Sequence, residues 1–147
     1  DLKKNDLLNT AWKIEESAKI FPNAYIIDAG IYKKYNLNSY IGFQLFNIPF
    51  LEPRLYQFSS IRLDNSIHWV HIDTINDKFH DKNFILPPIN FGSWEVEDYG
   101  QQTKLTYRLC TNPGGNIPAW IIELANQHYL IQMLIDLEKY SRASINE

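Results

Sequence analysis

Residues 112–140, NPGGNIPAWIIELANQHYLIQMLIDLEKY, decide the fold of this chain. The proline and two glycines near its start break the preceding strand, and Asn116 can cap a helix whose first turn contains Pro118. From Ile117 to about Tyr140, only a narrow stripe of the helical wheel is polar. A helix that is apolar over most of its circumference is buried on most sides. The stretch therefore predicts a long C-terminal helix that is gripped by the rest of the fold.

Before this helix, the sequence predicts one further helix and six strands. The helix spans residues 2–20, where apolar side chains recur at helical spacing and Phe21-Pro22 ends the segment. Short turns between consecutive strands favour antiparallel pairing, because parallel strands need long crossovers. We therefore predict one α+β domain over residues 1–147, in which a curved antiparallel sheet wraps around the C-terminal helix. The predicted strands, rich in β-branched and aromatic residues, are 25–34, 39–48, 54–63, 66–75, 83–97 and 103–111.

The composition excludes several classes of protein. With 147 residues, 45% hydrophobic and 14% aromatic, the chain has enough apolar surface to form a full core, which argues against disorder. Its 14 Lys and Arg are outnumbered by 17 Asp and Glu, so it lacks the basic excess that a nucleic-acid partner or a polybasic membrane anchor requires. The single cysteine, Cys110, excludes an internal disulfide and zinc sites built on several thiolates, and we interpret it as a packing thiol.

The sequence also indicates where in the cell the protein is expected. No apolar run approaches the ~20 residues of a membrane span, and no signal peptide is visible. We expect a soluble, cytoplasmic protein. A periplasmic or secreted location stays open, because the sequence begins with Asp1 instead of Met.

The sequence lacks the usual catalytic and metal-binding motifs. It contains no glycine-rich nucleotide loop, no nucleophile elbow and no zinc-protease motif. His68, His71 and Asp73 lie on one predicted strand, but strand alternation puts His68 on the opposite face from the other two. Because a metal would need further ligands from elsewhere, we expect neither a metal nor a cofactor. Glu95 and Glu97 share a face that we assign to solvent.

Three runs in the C-terminal third carry a resemblance to a known family. They are Gly92-Ser93-Trp94, TKLTY at 103–107 and NPGGNIPAW at 112–120. Together they resemble the START domain, the steroidogenic acute regulatory protein-related lipid-transfer domain, and in particular its bacterial branch. NIPFLEPR at 47–54 and the Phe21-Pro22 turn are weaker matches.

The resemblance implies a helix-grip fold, in which the C-terminal helix closes a hydrophobic tunnel that holds one lipid or sterol-like molecule. Pro49, Phe50 and Leu51 would belong to the gate loop, residues 48–53. The hairpin register of the 66–75 strand is not determined by the sequence, and we place His68 and Val70 inward because of the apolar neighbours. The predicted ligand-binding residues are Phe58, Ser60, His68, Val70, Trp94, Tyr107, Leu109, Leu130, Met133, Leu134 and Leu137.

Departures from the family pattern bear on the ligand and on the sheet. Ser60 and Ile85 stand where many members carry an arginine, and Leu55 replaces an aspartate. Because a buried charge must be paired, these losses imply a more apolar tunnel. The chain also starts later than family members do. We expect it to lack their N-terminal helix and first strands, which would leave an open sheet edge.

We therefore predict a non-enzymatic protein that binds and transfers a lipid, sterol or other hydrophobic molecule. Transient membrane contact is expected, with no nucleic-acid partner, and uptake would require opening of the gate loop or the C-terminal helix. Two alternatives stay open. One is an enzyme of the cyclase or hydrolase type that uses a tunnel residue such as His68 or Tyr107, and the other is an interaction module with a filled core. The sequence does not indicate the oligomeric state.

Overall fold

The computed structural model describes residues 2–73, 76–80 and 82–146. Its helices are α1 (Lys4–Trp12), α2 (Ser17–Ile20), α3 (Ala119–Leu124) and α4 (Leu130–Ile145). Its strands are β1 (Ile26–Asn36), β2 (Ser39–Phe46), β3 (Arg54–Leu63), β4 (Ser66–His71), β5 (Ile89–Tyr99) and β6 (Gln102–Asn112). Short 3-10 turns lie at Ile14–Glu16 and Asp77–Phe79, and a π-helical turn at Ala125–Tyr129, the π segment, joins α3 to α4.

Within these residues, six strands form one antiparallel sheet in the order β1-β2-β3-β4-β5-β6. This topology confirms the α+β class and the predicted meander. Three strands are shorter than predicted: β2 ends at Phe46, β4 ends at His71, and β5 begins only at Ile89. Pro87 and Pro88 precede β5, and proline cannot supply the N–H that an interior ladder needs. The last part of the predicted 66–75 strand, at 74–75, lies outside the described residues.

The predicted helix over 2–20 is interrupted. α1 ends at Trp12, and the backbone of Lys13 leaves the helical region (φ −78°, ψ 66°) before the 3-10 turn and α2. The bend brings Trp12 against Tyr40 of β2, with ring centroids 4.5 Å apart, and buries Ile14 in the same cluster. Packing on the sheet therefore overrides the helical propensity of the segment.

α1 and α4 pack against each other on the concave face of the sheet. Leu8 of α1 and Leu137 of α4 are fully buried there, in a core cluster that also contains Trp94 of β5. Fully burying a leucine stabilises a fold by about 1.5–3 kcal/mol. A buried hydrogen bond joins the same two helices, because Ser141 Oγ donates to Thr10 Oγ1 at 2.8 Å.

The chain between β4 and β5 covers the convex face. Phe79 and Phe84 pack there against the outward-facing side chains of β2 and β3, and the Phe79 and Phe43 rings meet edge to face at 5.0 Å. Lys78 Nζ adds a 2.7 Å contact to Asp28 Oδ2 of β1. β2 and the first part of β3 are therefore buried on both faces, and the concave side borders the cavity described below.

The sheet and the C-terminal helix form a helix-grip fold, as predicted. The expected burial of this helix on most sides is wrong: α3 and the π segment contain no buried residue, and α4 buries only Asp136, Leu137 and Ser141. The helix differs from the prediction in two further details. The expected cap at Asn116 is wrong, because α3 begins after Pro118 and no side chain caps it. The helix is also divided by the π segment and continues to Ile145.

β6 forms one edge of the sheet, and most of its residues are exposed. Cys110 is among them, so its interpretation as a packing thiol is wrong. The pairing explains the exposure, since Cys110 lies opposite Phe91 of β5, which is also exposed. None of the described helices is long and apolar enough to cross a membrane.

Candidate functional site

A cavity of about 480 Å³ lies between the concave face of the sheet and the helices. All six strands contribute to its wall, together with α1, α2, α3, the π segment and α4. Its size lies within the range of roughly 300–1,000 Å³ that is typical of small-molecule sites. The wall is mostly apolar, so the cavity is suited to a hydrophobic molecule.

Stacked aromatic rings form one wall of the cavity. The Tyr107 ring lies between two tryptophans, with centroids 4.2 Å from Trp94 and 5.7 Å from Trp69. Gly92 makes this arrangement possible, because it pairs with Trp69 and a Cβ at Gly92 would lie 2.6 Å from the Trp69 ring. The glycine of the Gly92-Ser93-Trp94 run therefore lets an indole ring lie directly over the β5 backbone.

The structure brings about half of the predicted site residues together. Pro49 and Phe50 of the gate loop also border the cavity, whereas Leu51 is not part of its wall. Whether any of these residues contacts a ligand stays a prediction. The predicted residues that line the cavity are Phe58, Ser60, Trp94, Tyr107, Leu109 and Met133.

The inward placement of His68 and Val70 is wrong. Leu63 pairs with Ser66 across a two-residue turn, and this register turns Ile67 and Trp69 toward the cavity instead. Val70 is 55% exposed, and His68 Nε2 lies 2.9 Å from Ser66 Oγ. A one-residue change of register moves every side chain to the other face, so the apolarity of the strand was an insufficient guide.

The expected tunnel-facing leucines of the C-terminal helix are also misplaced. Leu137 is buried in the core against α1, Leu134 packs against the same core, and Leu130 is not part of the cavity wall. The error arises because the apolar side of α4 serves two neighbours: Leu134 and Leu137 pack in the core with α1, and only Met133 of α4 lines the cavity. Ile121 and Leu124 of α3 face the cavity in their place, together with Met133.

The polar groups of the cavity wall are almost all uncharged. Gln44 Nε2 donates to Ser17 Oγ at 3.0 Å. Burial raises the pKa of Tyr40 to about 12, with Ser60 beside its hydroxyl, and burial also raises the pKa of Tyr107. These tyrosines therefore stay protonated near neutral pH and can donate hydrogen bonds.

Lys13 is the one charged residue among the described residues of the wall. Its side chain is 44% exposed and lies 4.0 Å from Glu16, so it belongs to the rim. His71 Nε2 bonds Asp73 Oδ1 at 2.9 Å, outside the wall. In the described ranges, no group of three or more His, Cys, Asp or Glu could hold a metal ion.

Sequence reasoning missed Asn90. This residue of β5 is only 6% exposed and lines the cavity, while Ile89 and Phe91 on either side are exposed. The only signal in the sequence was alternation, which puts Asn90 on the same face as Trp94. None of the described residues hydrogen-bonds its side-chain amide, and the amide is not among the fully enclosed polar atoms, so its remaining access is through the cavity.

Two elements that border the cavity, the gate loop and α3, carry exposed aromatic side chains, and we call the space between them the mouth. Phe50 at the tip of the loop is fully exposed and has a positive φ of 66°. A non-glycine residue in this region is strained. Trp120 of α3 is 66% exposed, and Tyr25, which also has a positive φ, meets Tyr129 edge to face at 5.8 Å.

Arg54 joins the gate loop to the start of the C-terminal helix. Its guanidinium is buried and donates to the carbonyls of Glu52, Pro113 and Gly114, the last two at 3.1 Å each. Gly114 and Gly115 both have positive φ, which turns these carbonyls toward the arginine. The two glycines therefore form a turn held by Arg54, and not a phosphate-binding loop.

No family model and no curated protein sequence matches the chain. Among solved structures, human STARD10 superimposes with a TM-score of 0.75 at 15% identity, over 100% of this chain and 63% of that one. The di-domain ARO/CYC protein StfQ of the steffimycin biosynthetic pathway gives 0.70 at 9%, over 98% and 48%. The lipid transfer and protein localization domain of human StarD13 gives 0.64 at 12%, over 92% and 68%.

These similarities show the START helix-grip fold. At such low identity they show the fold alone. The chain spans less than two thirds of the length of the STARD10 and StfQ chains.

Proposed function

We propose that this protein binds a lipid or another hydrophobic small molecule in the cavity and transfers it between membranes. The observation that carries the proposal is the cavity of about 480 Å³, whose wall is mostly apolar and which α3, the π segment and the gate loop border on one side. Burying apolar ligand surface there would contribute about 25 cal/mol per Å². The shared fold with the StarD13 lipid transfer domain supports this assignment. A cavity of this size is at odds with a filled-core interaction module.

Ligand entry would require local opening at the mouth. The gate loop carries a strained residue at its tip, Phe50, and α3 is joined to α4 only through the π segment. π-helical turns are often found at functional sites. Because Leu137 and Ser141 anchor α4 in the core, we infer that α3 and the gate loop move while α4 stays in place.

The mouth would also be the surface that touches a membrane. Phe50, Trp120 and Ile122 are exposed apolar side chains on its two sides. Clustered exposed apolar residues mark interaction sites, and aromatic rings favour the membrane interface. Contact there would let a ligand pass from the bilayer into the cavity without crossing water.

Mass spectrometry of molecules that co-purify with the protein tests the assignment, together with titration of Nile red, a neutral dye that fluoresces in apolar surroundings. Met133→Trp would narrow the cavity and should weaken dye binding. Ile131→Trp adds the same bulk to the exposed side of α4, and should leave dye binding unchanged. The proposal is wrong if no apolar molecule co-purifies and the wild-type protein does not bind the dye.

An enzyme on the same scaffold is the second candidate, and it now rests on Tyr107. This hydroxyl faces the cavity and stays protonated, so it could donate a proton or a hydrogen bond to a substrate. The fold is shared with the ARO/CYC protein StfQ. His68, the other residue expected for this role, lies outside the cavity wall. Turnover of a bound molecule that is lost in Tyr107→Phe, while binding is retained, would favour the enzyme.

A further inference from the structure

The buried amide of Asn90 points to the chemistry of the ligand. It lies in the cavity wall, more than nine-tenths buried, and no described residue is its hydrogen-bonding partner. Because the amide is not fully enclosed, a molecule in the cavity can reach it. Gln44, the other amide in the wall, already bonds Ser17. Asn90 is therefore the amide that is free to bind a ligand.

The surroundings of Asn90 form an uncharged polar spot. Thr111 lies directly opposite on β6, and its Oγ1 donates to the Ile89 carbonyl at 3.0 Å. The Tyr56 hydroxyl lies beside Thr111, and burial raises the pKa of this tyrosine. All three side chains line the cavity and are neutral near pH 7. The spot thus offers hydrogen bonds without any charge.

Arg54, a cation close enough to act on Tyr56, is not available to a ligand. Its charge acts on Tyr56, but its guanidinium is committed to three backbone carbonyls and is not part of the cavity wall. Lys13 is the one described charge in the wall, and it lies at the exposed rim. A carboxylate or phosphate in the cavity would therefore lose its hydration without gaining a counter-ion, which is costly.

We propose that the ligand is an uncharged amphiphile whose single neutral polar group, a hydroxyl or an amide, hydrogen-bonds the side chain of Asn90. This inference rests on the proposed function. Hydroxyls and amides both donate and accept, so they match both ends of the asparagine amide. A carboxylate only accepts and leaves the asparagine carbonyl unpaired. A hydrocarbon leaves both ends unpaired.

Displacement of Nile red by a matched series of twelve-carbon molecules tests the inference. Dodecanol, dodecanamide, dodecanoate and dodecane share one chain length and differ in the polar group; the titrations are made at pH 8, where dodecanoate is ionised. We expect dodecanol and dodecanamide to bind about tenfold more tightly than dodecanoate, since one net hydrogen bond is worth about that factor. Asn90→Leu, of similar size, should remove this preference and leave dodecane binding no weaker.

Gln57→Leu is the matched control, because it removes a buried amide that accepts a hydrogen bond from Tyr32 and lies outside the cavity wall. It should keep the wild-type preference, and thermal melts of both variants confirm that they fold. The inference is overturned if dodecanoate binds as tightly as dodecanol, or if Asn90→Leu keeps the preference while it still binds the dye. In those cases dye displacement persists and the proposed function stands. Failure of the wild-type protein to bind the dye would overturn both.

Discussion

Arg54 and Gly114 are 60 residues apart in sequence, yet Arg54 Nη2 donates to the Gly114 carbonyl at 3.1 Å. This bond, with those to Pro113 and Glu52, holds the gate loop against the turn that precedes α3. Both sides of the cavity mouth are thus attached to one buried side chain. The tip of the gate loop and α3 can therefore move and open the mouth, while the backbone bonded to Arg54 stays in place.

Replacement of Arg54 by methionine should lower the stability of the fold and weaken the attachment of the gate loop to the turn before α3. Three carbonyls lose a charged donor in a buried site, so we expect the free energy of unfolding to fall by about 2–4 kcal/mol. Urea denaturation measures this change, and stopped-flow release of Nile red should become faster. Arg108→Met is the control, because Arg108 pairs with Glu95 on the surface and its loss should leave the unfolding midpoint nearly unchanged. Equal effects of the two variants would contradict the anchoring role.

Gly92→Ala should destabilise the fold far more than Gly100→Ala. A Cβ at Gly92 would lie 2.1 Å from the Arg108 carbonyl oxygen and against the Trp69 ring, so β5 or the aromatic wall must shift. At Gly100 a Cβ meets nothing within 4 Å, and only the positive φ of 62° is strained, at a cost of about 1–2 kcal/mol. Thermal unfolding of both variants makes the comparison. The packing argument fails if Gly92→Ala melts at the same temperature as Gly100→Ala or higher.

Truncation of Leu137 should lower the stability of the fold more than it changes dye binding. Leu137→Ala removes a fully buried side chain and should lower the free energy of unfolding by about 2–5 kcal/mol. Ile131→Ala, on the exposed side of the same helix, should change it little. Denaturant titration gives both values. If Leu137 faced a ligand tunnel, as the helical wheel suggested, its truncation would change dye binding more than stability.

Stability should decline at alkaline pH because of Tyr40. Burial raises the pKa of its hydroxyl from 10.0 to about 12, so the unfolded chain loses this proton before the folded protein does. The contribution, about 2–3 kcal/mol, is complete below pH 10 and is lost as the pH rises from 10 to 12. Urea unfolding between pH 8 and 11.5 should show this decline, and Tyr40→Phe should make it shallower. An identical slope in the variant would rule out Tyr40 as a source.

The sequence alone sufficed for the features that depend on local pattern. The pairing of β1 with β2, of β3 with β4 and of β5 with β6 followed from their two-residue turns, because so short a turn leaves antiparallel pairing as the only option. The presence of a long C-terminal helix followed from the apolar pattern of residues 117–140, although the predicted burial on most sides did not, because Trp120 and Ile131 are exposed. The bounds of β3, Arg54–Leu63, followed from its aromatic and β-branched content. Each of these signals lies within a single helix or strand and the turns beside it.

The tertiary structure decided which side chains meet in the cavity. Trp69 faces inward instead of Val70 because the Leu63–Ser66 pairing sets the register of a whole strand. Leu137 faces α1 instead of the cavity because α4 packs against α1 beyond Met133, a contact between segments far apart in sequence. Asn90 became a candidate site residue only once its surroundings showed no hydrogen-bonding partner. Each of these three features depends on residues far apart in sequence. The hydrophobic pattern of one helix or strand indicates that a surface is buried, but not which residues it packs against.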